Sequence, residues 1–160
     1  MAGESSAKIK KIIYGIIGLV VIIQLIPVDR SNPAVVSEPQ WDSPKTREFA
    51  KRTCFDCHSN ETKWPWYSYV APVSWVVANH VEDGRKDFNM SEYKPGDGAK
   101  AARLFSRGVM PVSGYLMMHP EAQLTDQEKQ EFIAGLQATF KKAEKEEGNK
   151  ESEEKDDDDH

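Results

Sequence analysis

Apolar and polar residues follow one another in long blocks along this chain, and the first apolar block predicts a membrane helix. It runs from Ile12 to Val28, almost wholly apolar, after a polar start that contains three lysines. At the rise of an α-helix the block would measure roughly 25 Å, slightly less than a hydrocarbon core of about 30 Å. We expect a transmembrane anchor over 12–28, with lysine side chains snorkelling at one end to make up the difference.

A cleaved signal peptide is the alternative interpretation of this block. The run is longer than the usual apolar region of about 7–15 residues, and no small-x-small cleavage site follows Pro27, so retention is favoured. The lysines predict that 1–11 stay in the cytoplasm and that the rest is exported. Residues 29–40 contain prolines and serines and predict a linker between the anchor and a domain.

The following blocks have helical spacing and predict an all-α domain over 41–140. Ser43 is a favourable N-cap followed by Pro44, whose missing N–H is harmless at the first helical position. Gly84 is the expected C-cap of a helix with valines on one face. Thr125 and Glu128 form a capping box that opens a last helix with one apolar face. The predicted helices cover 44–53, 72–84, 99–106 and 126–140.

The only two cysteines of the chain lie in the run Cys54-Phe55-Asp56-Cys57-His58. C-x-x-C-H is the attachment pattern of a c-type haem, in which Cys54 and Cys57 form thioethers and His58 is an axial iron ligand. A structural zinc site would need four protein ligands, and His80 and His119 are too far apart to complete one in the usual pattern. A thioredoxin-like redox pair would need a βαβ context, which the chain lacks.

The distribution of charged residues along the chain argues against nucleic acid as a partner. The last twenty residues contain five lysines and ten carboxylates and carry the whole net charge of −5, so the first 140 residues are neutral overall. No basic patch with interleaved aromatic residues occurs, and nucleic acid is therefore not an expected partner. Residues 141–160 cannot bury enough apolar surface to offset their ordering entropy, and they predict a disordered acidic tail.

The second axial ligand decides the function, because two protein ligands favour electron transfer and an open site favours binding of a small ligand. Met110 has the best context, since Pro111 follows it and it lies between His58 and a terminal helix. A thioether ligand favours ferrous iron and raises the potential. The other candidates are Met90, Met117, Met118, His80 and His119.

Together these motifs resemble the bacterial haem-binding domain family, small membrane-anchored monohaem c-type cytochromes similar to class I cytochromes c. The resemblance covers about 41–140 and implies one covalent haem c and an electron-transfer role. Members often carry a second proline after Met-Pro, where this chain has Val112. The matching segments are Cys54 to Ser68, Ala71 to Trp75, His80 to Arg85, Met110 to Pro111 and Tyr115 to Thr125.

These observations predict a periplasmic electron carrier rather than an enzyme. We expect a single-pass protein of the inner membrane whose cytochrome c-like helical domain exchanges electrons with redox proteins or with a membrane oxidoreductase complex. A haem-based sensor with a labile sixth site is one alternative. An accessory subunit of a respiratory or photosynthetic membrane complex is another.

Overall fold

The computed structural model describes residues 2–157, and for 2–6 and 142–157 it describes only the backbone. Seven α-helices lie within the described residues. No strand occurs among these residues, so the predicted all-α class is confirmed. The helices are α1 (Ala2–Ile23), α2 (Pro44–Thr53), α3 (Phe55–His58), α4 (Val73–Asp87), α5 (Ala101–Ser106), α6 (Ser113–Met118) and α7 (Asp126–Asp157). Two 3-10 turns cover Trp66–Tyr69 and Pro120–Ala122.

Helix α1 differs from the predicted anchor in both position and length. It starts within the polar residues and ends at Ile23, because the following residues form a turn and Gln24 bonds to the domain. Its apolar part, from Ile12 to Ile23, therefore measures only about 18 Å. Among the described residues, none of the helices combines the length and the apolar character needed to cross a membrane. The transmembrane helix expected over 12–28 is thus not supported.

The segment expected to be a linker, 29–40, lies against the domain. The guanidinium of Arg85 donates to the carbonyl of Ser31 at 3.1 Å and to Oδ1 of Asn32 at 3.0 Å. Asn60 donates to the carbonyl of Ala34 at 3.0 Å. Because proline and serine content reports only the absence of regular structure, it did not reveal that this extended segment has partners on the domain.

Helices α2 and α7 cross at the centre of the domain. Ser43 caps α2 by accepting from the N–H of Thr46, as predicted. The ring of Phe49 packs edge-on against Phe132 with centroids 5.8 Å apart. Gly135 lets the helices approach, because a Cβ there would overlap the side chain of Thr46. Both ends of the domain sequence are therefore needed for its core.

We expect Gly135→Ala to lower the free energy of unfolding by about 1–3 kcal/mol, because the added methyl group overpacks this crossing. The measurement is urea unfolding of the full chain. Gly114→Ala is the matched control, since a Cβ at Gly114 meets no atom within 4 Å. Equal stability losses in the two variants would contradict the crossing.

The capping box of α7 is present as predicted. Glu128 accepts from the backbone N–H of Thr125 at 2.7 Å, and Oγ1 of Thr125 accepts from the N–H of Glu128 at 3.2 Å. Together with Arg52, this backbone N–H lowers the pKa of the Glu128 carboxyl to about 2. The bond from Arg52 also joins α7 to α2.

Two helical regions go beyond the predictions. Helix α6 lies outside the predicted helices, because a helix of six residues has too few positions to show periodicity. Helix α7 continues through Asp157, where composition predicted disorder over 141–160; residues 158–160 lie outside the described residues. Glutamate and lysine, which dominate this segment, have high intrinsic helix propensity.

Candidate haem site

The haem motif forms a one-turn helix directly after α2. Cys54 ends α2 by donating its N–H to the carbonyl of Ala50, and its own carbonyl accepts from Cys57 at 3.2 Å and from His58 at 2.9 Å. Cys54 packs against the core, which includes Phe49 and Phe55. The two cysteines are free thiols in the structure. The motif is thus held rigidly between the core and the segment that follows.

Burial disfavours the charged thiolate form of both cysteines. Burial raises the pKa of Cys54 to about 11. Burial, and next the charge of Asp56, raise the pKa of Cys57 to about 11. Because the thiolate is the reactive form of cysteine, we expect these thiols to be unreactive toward general alkylating reagents.

The orientation of His58 is suited to an axial ligand. Its Nδ1 lies 2.8 Å from the carbonyl oxygen of Gly84 and 3.0 Å from that of Phe88. A carbonyl only accepts hydrogen bonds, so Nδ1 carries the proton and Nε2 keeps its lone pair. Histidines that bind metals commonly have this arrangement, in which the second nitrogen donates to a carbonyl.

Gly84 brings α4 against the haem motif. A Cβ at this position would lie 2.5 Å from the carbonyl oxygen of Cys57, so a side chain does not fit. The prediction that Gly84 ends the helix is wrong, since α4 continues to Asp87. The glycine serves close packing, and this packing places the Gly84 carbonyl beside His58.

A cavity of about 510 Å³ opens beside Cys57. This volume lies within the range of about 300–1,000 Å³ that is typical of ligand and cofactor sites. Tyr67, Tyr115, His80, His119 and Met118 contribute to its wall. The apolar part of the wall comes from Val73, Val76, Val77, Val81, Val112, Pro65 and Trp66.

His119 lies at the centre of a hydrogen-bonded group in this wall. Its Nδ1 is 2.9 Å from Oε1 of Glu121, and its Nε2 is 2.7 Å from the hydroxyl of Tyr67. The carboxylate accepts, so Nδ1 carries the proton and Nε2 accepts from the tyrosine. Its ring stacks on Tyr115, whose hydroxyl donates to Asp56. Both nitrogens of His119 are therefore occupied, and the residue is not free to bind iron in this arrangement.

The two tyrosines of this group are held protonated. Burial raises the pKa of Tyr67, with a smaller contribution from the charge of Asp56. Burial, followed by the same charge and the hydrogen bond to Asp56, raises the pKa of Tyr115. Sequence reasoning missed Tyr67, Tyr115 and Glu121 as partners of His119. The spacing of four between Tyr115 and His119 was the one available signal.

We expect Tyr67→Phe to lower the free energy of unfolding by about 1 kcal/mol, because Nε2 of His119 loses its donor. Chemical denaturation of the full chain measures this loss. Tyr69→Phe is the matched control from the same 3-10 turn, since Tyr69 is 59% exposed. Equal stability of the two variants would show that the bond between Tyr67 and His119 contributes nothing.

The structure brings Cys54, Cys57 and His58 together but places Met110 in a different cavity. Met110 is 36% exposed and, with Pro111, lines a second cavity of about 690 Å³ that none of the three haem-motif residues lines. Val112, two residues further along, lines the cavity beside Cys57. The run from Met110 to Val112 therefore passes from one cavity to the other.

The remaining candidates for the second axial ligand differ in burial and in the cavity that they line. Met90 is buried in the core, which explains it as a packing residue. His80 is exposed on α4, and Met118 is 53% exposed; both line the cavity beside Cys57. Met117 is 77% exposed and lines the second cavity. Met118 is thus the only methionine that lines the cavity beside Cys57 among the described residues.

The residues at this site fit a haem. Two thiols one helical turn apart, a histidine with Nε2 available and a largely apolar cavity match the needs of a flat, hydrophobic group with a central metal. No group of three or more histidine, cysteine or acidic side chains among the described residues could hold a metal ion by itself. An all-helical domain with this site defines a haem-binding protein.

The family comparison agrees with this class. The family described as Haem-binding domain matches residues 18–138, and the chain belongs to this family. No curated protein and no solved structure matches the chain. Family membership therefore supports haem binding by this chain.

Proposed function

We propose that this protein carries single electrons as a monohaem c-type cytochrome. Cys54 and Cys57 would hold the haem through thioethers, and His58 and Met110 would bind its iron. When bound, the haem supplies a metal that alternates between ferrous and ferric states and so transfers one electron at a time.

The observation that carries this proposal is the orientation of His58. The carbonyls of Gly84 and Phe88 fix the tautomer and the ring direction, so Nε2 is presented without rearrangement. A ligand held in this way does not need to move when the oxidation state changes. Little movement of the ligand on oxidation and reduction is favourable for electron transfer.

Met110 is proposed as the second ligand on two grounds. His119 is excluded by its bonds to Tyr67 and Glu121. The run from Met110 to Val112 passes between the two cavities, so Met110 lies two positions along the chain from a residue that lines the cavity beside Cys57. The rival thioether is that of Met118, which already lines this cavity.

The proposed location is the outer side of the cytoplasmic membrane, with α1 attached to the lipid. Lys8, Lys10 and Lys11 precede the apolar part of α1, and that part is exposed from Ile12 to Ile22. Haem attachment to C-x-x-C-H runs takes place outside the cytoplasm, which agrees with this location. The proposed partners are redox proteins or a membrane oxidoreductase complex, of which the protein could be an accessory subunit.

A redox titration followed by visible spectra tests the function. The full-length protein, matured in a host that attaches c-type haem, is expected to show a single one-electron transition and low-spin spectra in both oxidation states. Carbon monoxide should leave the reduced spectrum unchanged, and peroxide turnover should be negligible. A high-spin ferric spectrum would contradict ligation by a second protein residue.

A haem-based sensor is the second candidate, and one observation favours it. Tyr67, His80 and His119 line the cavity beside Cys57, and the ring of His80 could form a hydrogen bond with a small molecule bound there. This function requires an open or labile sixth position. Binding of carbon monoxide to the reduced protein without denaturant would favour it over electron transfer.

A further inference from the structure

The backbone that follows His58 is held within the domain by several contacts. Three side chains of the segment 58–62 are buried, those of Ser59, Asn60 and Thr62, which are exposed by 0%, 3% and 5%. The carbonyl of His58 itself accepts from the N–H of Met90 at 2.7 Å. Because the axial ligand is the first residue of this segment, the contacts that fix the segment also fix the ligand.

Arg85, on α4, contacts this segment at two points. Its Nε donates to the carbonyl of Ser59 at 2.8 Å, and one of its terminal nitrogens donates to Oγ1 of Thr62 at 2.9 Å. The same guanidinium donates to Ser31 and Asn32 in the extended segment 29–40. Four acceptors around one planar group match the fixed fork of N–H donors that arginine provides and lysine does not.

The bond from Arg85 to Ser59 joins the two sides of the hydrogen bond that orients His58. Arg85 follows Gly84, whose carbonyl accepts from Nδ1 of His58, and Ser59 follows His58. One side chain therefore connects the backbone next to the acceptor with the backbone next to the donor. The second acceptor, the carbonyl of Phe88, lies at the end of the same helix. Arg85 thus holds α4 against the axial ligand.

Asn32 supports Arg85 from the extended segment. Its Oδ1 accepts from the guanidinium at 3.0 Å, and its Nδ2 donates to the carbonyl of Thr62 at 2.9 Å. One amide side chain therefore binds both the arginine and the segment that the arginine holds. Hydrogen bonds from a charged donor are stronger than those between neutral groups, so Arg85 is the principal member of this network.

Protein atoms fix the position of Arg85. The described residues that line the cavity beside Cys57 do not include it, and it lines a separate cavity of about 490 Å³ together with Trp64 and Asn89. All four of its hydrogen bonds go to acceptors of the protein itself. An effect of these bonds on the haem therefore passes through His58.

We propose that Arg85 is a positioning residue for the axial ligand. By fixing the segment 58–62 against α4, it holds Nδ1 of His58 on the carbonyl of Gly84. This inference rests on the proposed role of His58 in binding iron and deepens it. A hydrogen bond from Nδ1 fixes the direction of the ring and makes the histidine a more basic ligand, and such bonds are one means by which a protein tunes a haem.

Proton exchange at Nδ1 of His58 tests this role. In the ferrous full-length holoprotein, NMR measures the exchange of this proton with water and that of the backbone N–H of Phe132, whose side chain is fully buried in the core. Arg85→Lys keeps the charge but cannot bind all four acceptors. It is expected to accelerate exchange at Nδ1 at least about tenfold relative to Phe132, because a local opening exposes the proton without unfolding the core.

Arg52→Lys is the matched control. Arg52 also binds two partners through its guanidinium, Glu121 and Glu128, and neither lies in the segment 58–62. Equal acceleration at His58 and at the core in Arg85→Lys would show a role in stability alone and would overturn the proposal. The same acceleration at His58 in the control would also overturn it. Both results would leave the redox titration unaffected.

Two further results complete the test. Asn32→Ala removes an exposed side chain and is expected to accelerate exchange at Nδ1 of His58 several-fold. It decides the question if Arg85→Lys does not fold, in which case an unchanged rate would overturn the proposal. Parent holoprotein in which the ring resonances of His58 show no shift from the haem would overturn the proposed function and this inference together.

Discussion

Replacing both Cys54 and Cys57 with serine is expected to abolish covalent haem attachment completely. The chain has no third cysteine, so no other thiol can form a thioether. The full-length variant should lose haem stain after denaturing electrophoresis, whereas the parent protein should keep it. Retained haem stain in the double variant would exclude thioether attachment through this motif.

The single variants refine this result. With only Cys54 or Cys57 present, one vinyl group of the haem stays conjugated with the ring, so the absorption band of the reduced protein should move to longer wavelength. Met117→Ser, which changes an exposed sulfur-bearing side chain outside the motif, is the control and should leave the band in place. A wavelength shift in the control as large as in the cysteine variants would remove the support for thioethers.

Met110→Ala is expected to abolish the weak methionine-to-iron band of the ferric protein and to lower its midpoint potential by on the order of 100 mV. The reason is that a thioether stabilises ferrous iron, and axial ligands set potentials over a range of about 0.8 V. The two measurements are the near-infrared edge of the ferric spectrum and a redox titration of the full-length protein.

Met118→Ala is the matched control for the second ligand. Both residues lie in the segment between α5 and α7, and Met118 lines the cavity beside Cys57. Loss of the band in Met118→Ala, with retention in Met110→Ala, would move the ligand to the end of α6. An unchanged low-spin spectrum in both variants would assign the position to a histidine.

The helix crossing and the haem motif share one core, because Cys54 packs against it. The crossing of α2 and α7 buries Phe132 and Leu136 almost completely, at 0% and 1% exposure, and it places Cys54 at the edge of this core. Loss of packing at the crossing should therefore disturb the haem environment, and with it the visible spectrum, as well as lower the stability. This connection gives the Gly135→Ala variant a spectroscopic readout besides its unfolding curve.

Local patterns predicted much of the helical framework. Ser43 and Pro44 start α2, and Thr125 and Glu128 start α7, because caps act through bonds within one turn of the chain. The predicted helix ends were wrong where contacts between residues distant in the sequence determine them. Gly84 is a position of close packing against the backbone of Cys57, and α4 continues past it to Asp87. Helix α1 ends at Ile23, after which Gln24 bonds to Ala71.

The sequence by itself determined the haem-attachment chemistry expected of this protein. Two thiols and a histidine within five residues act as one local unit, so their spacing is sufficient to predict the group that they bind. The tertiary structure decided the surroundings of this unit. The bonds from His58 to Gly84 and Phe88, and from His119 to Tyr67, join residues that are 26 to 52 positions apart. Such contacts depend on the path of the whole backbone, which no local spacing encodes.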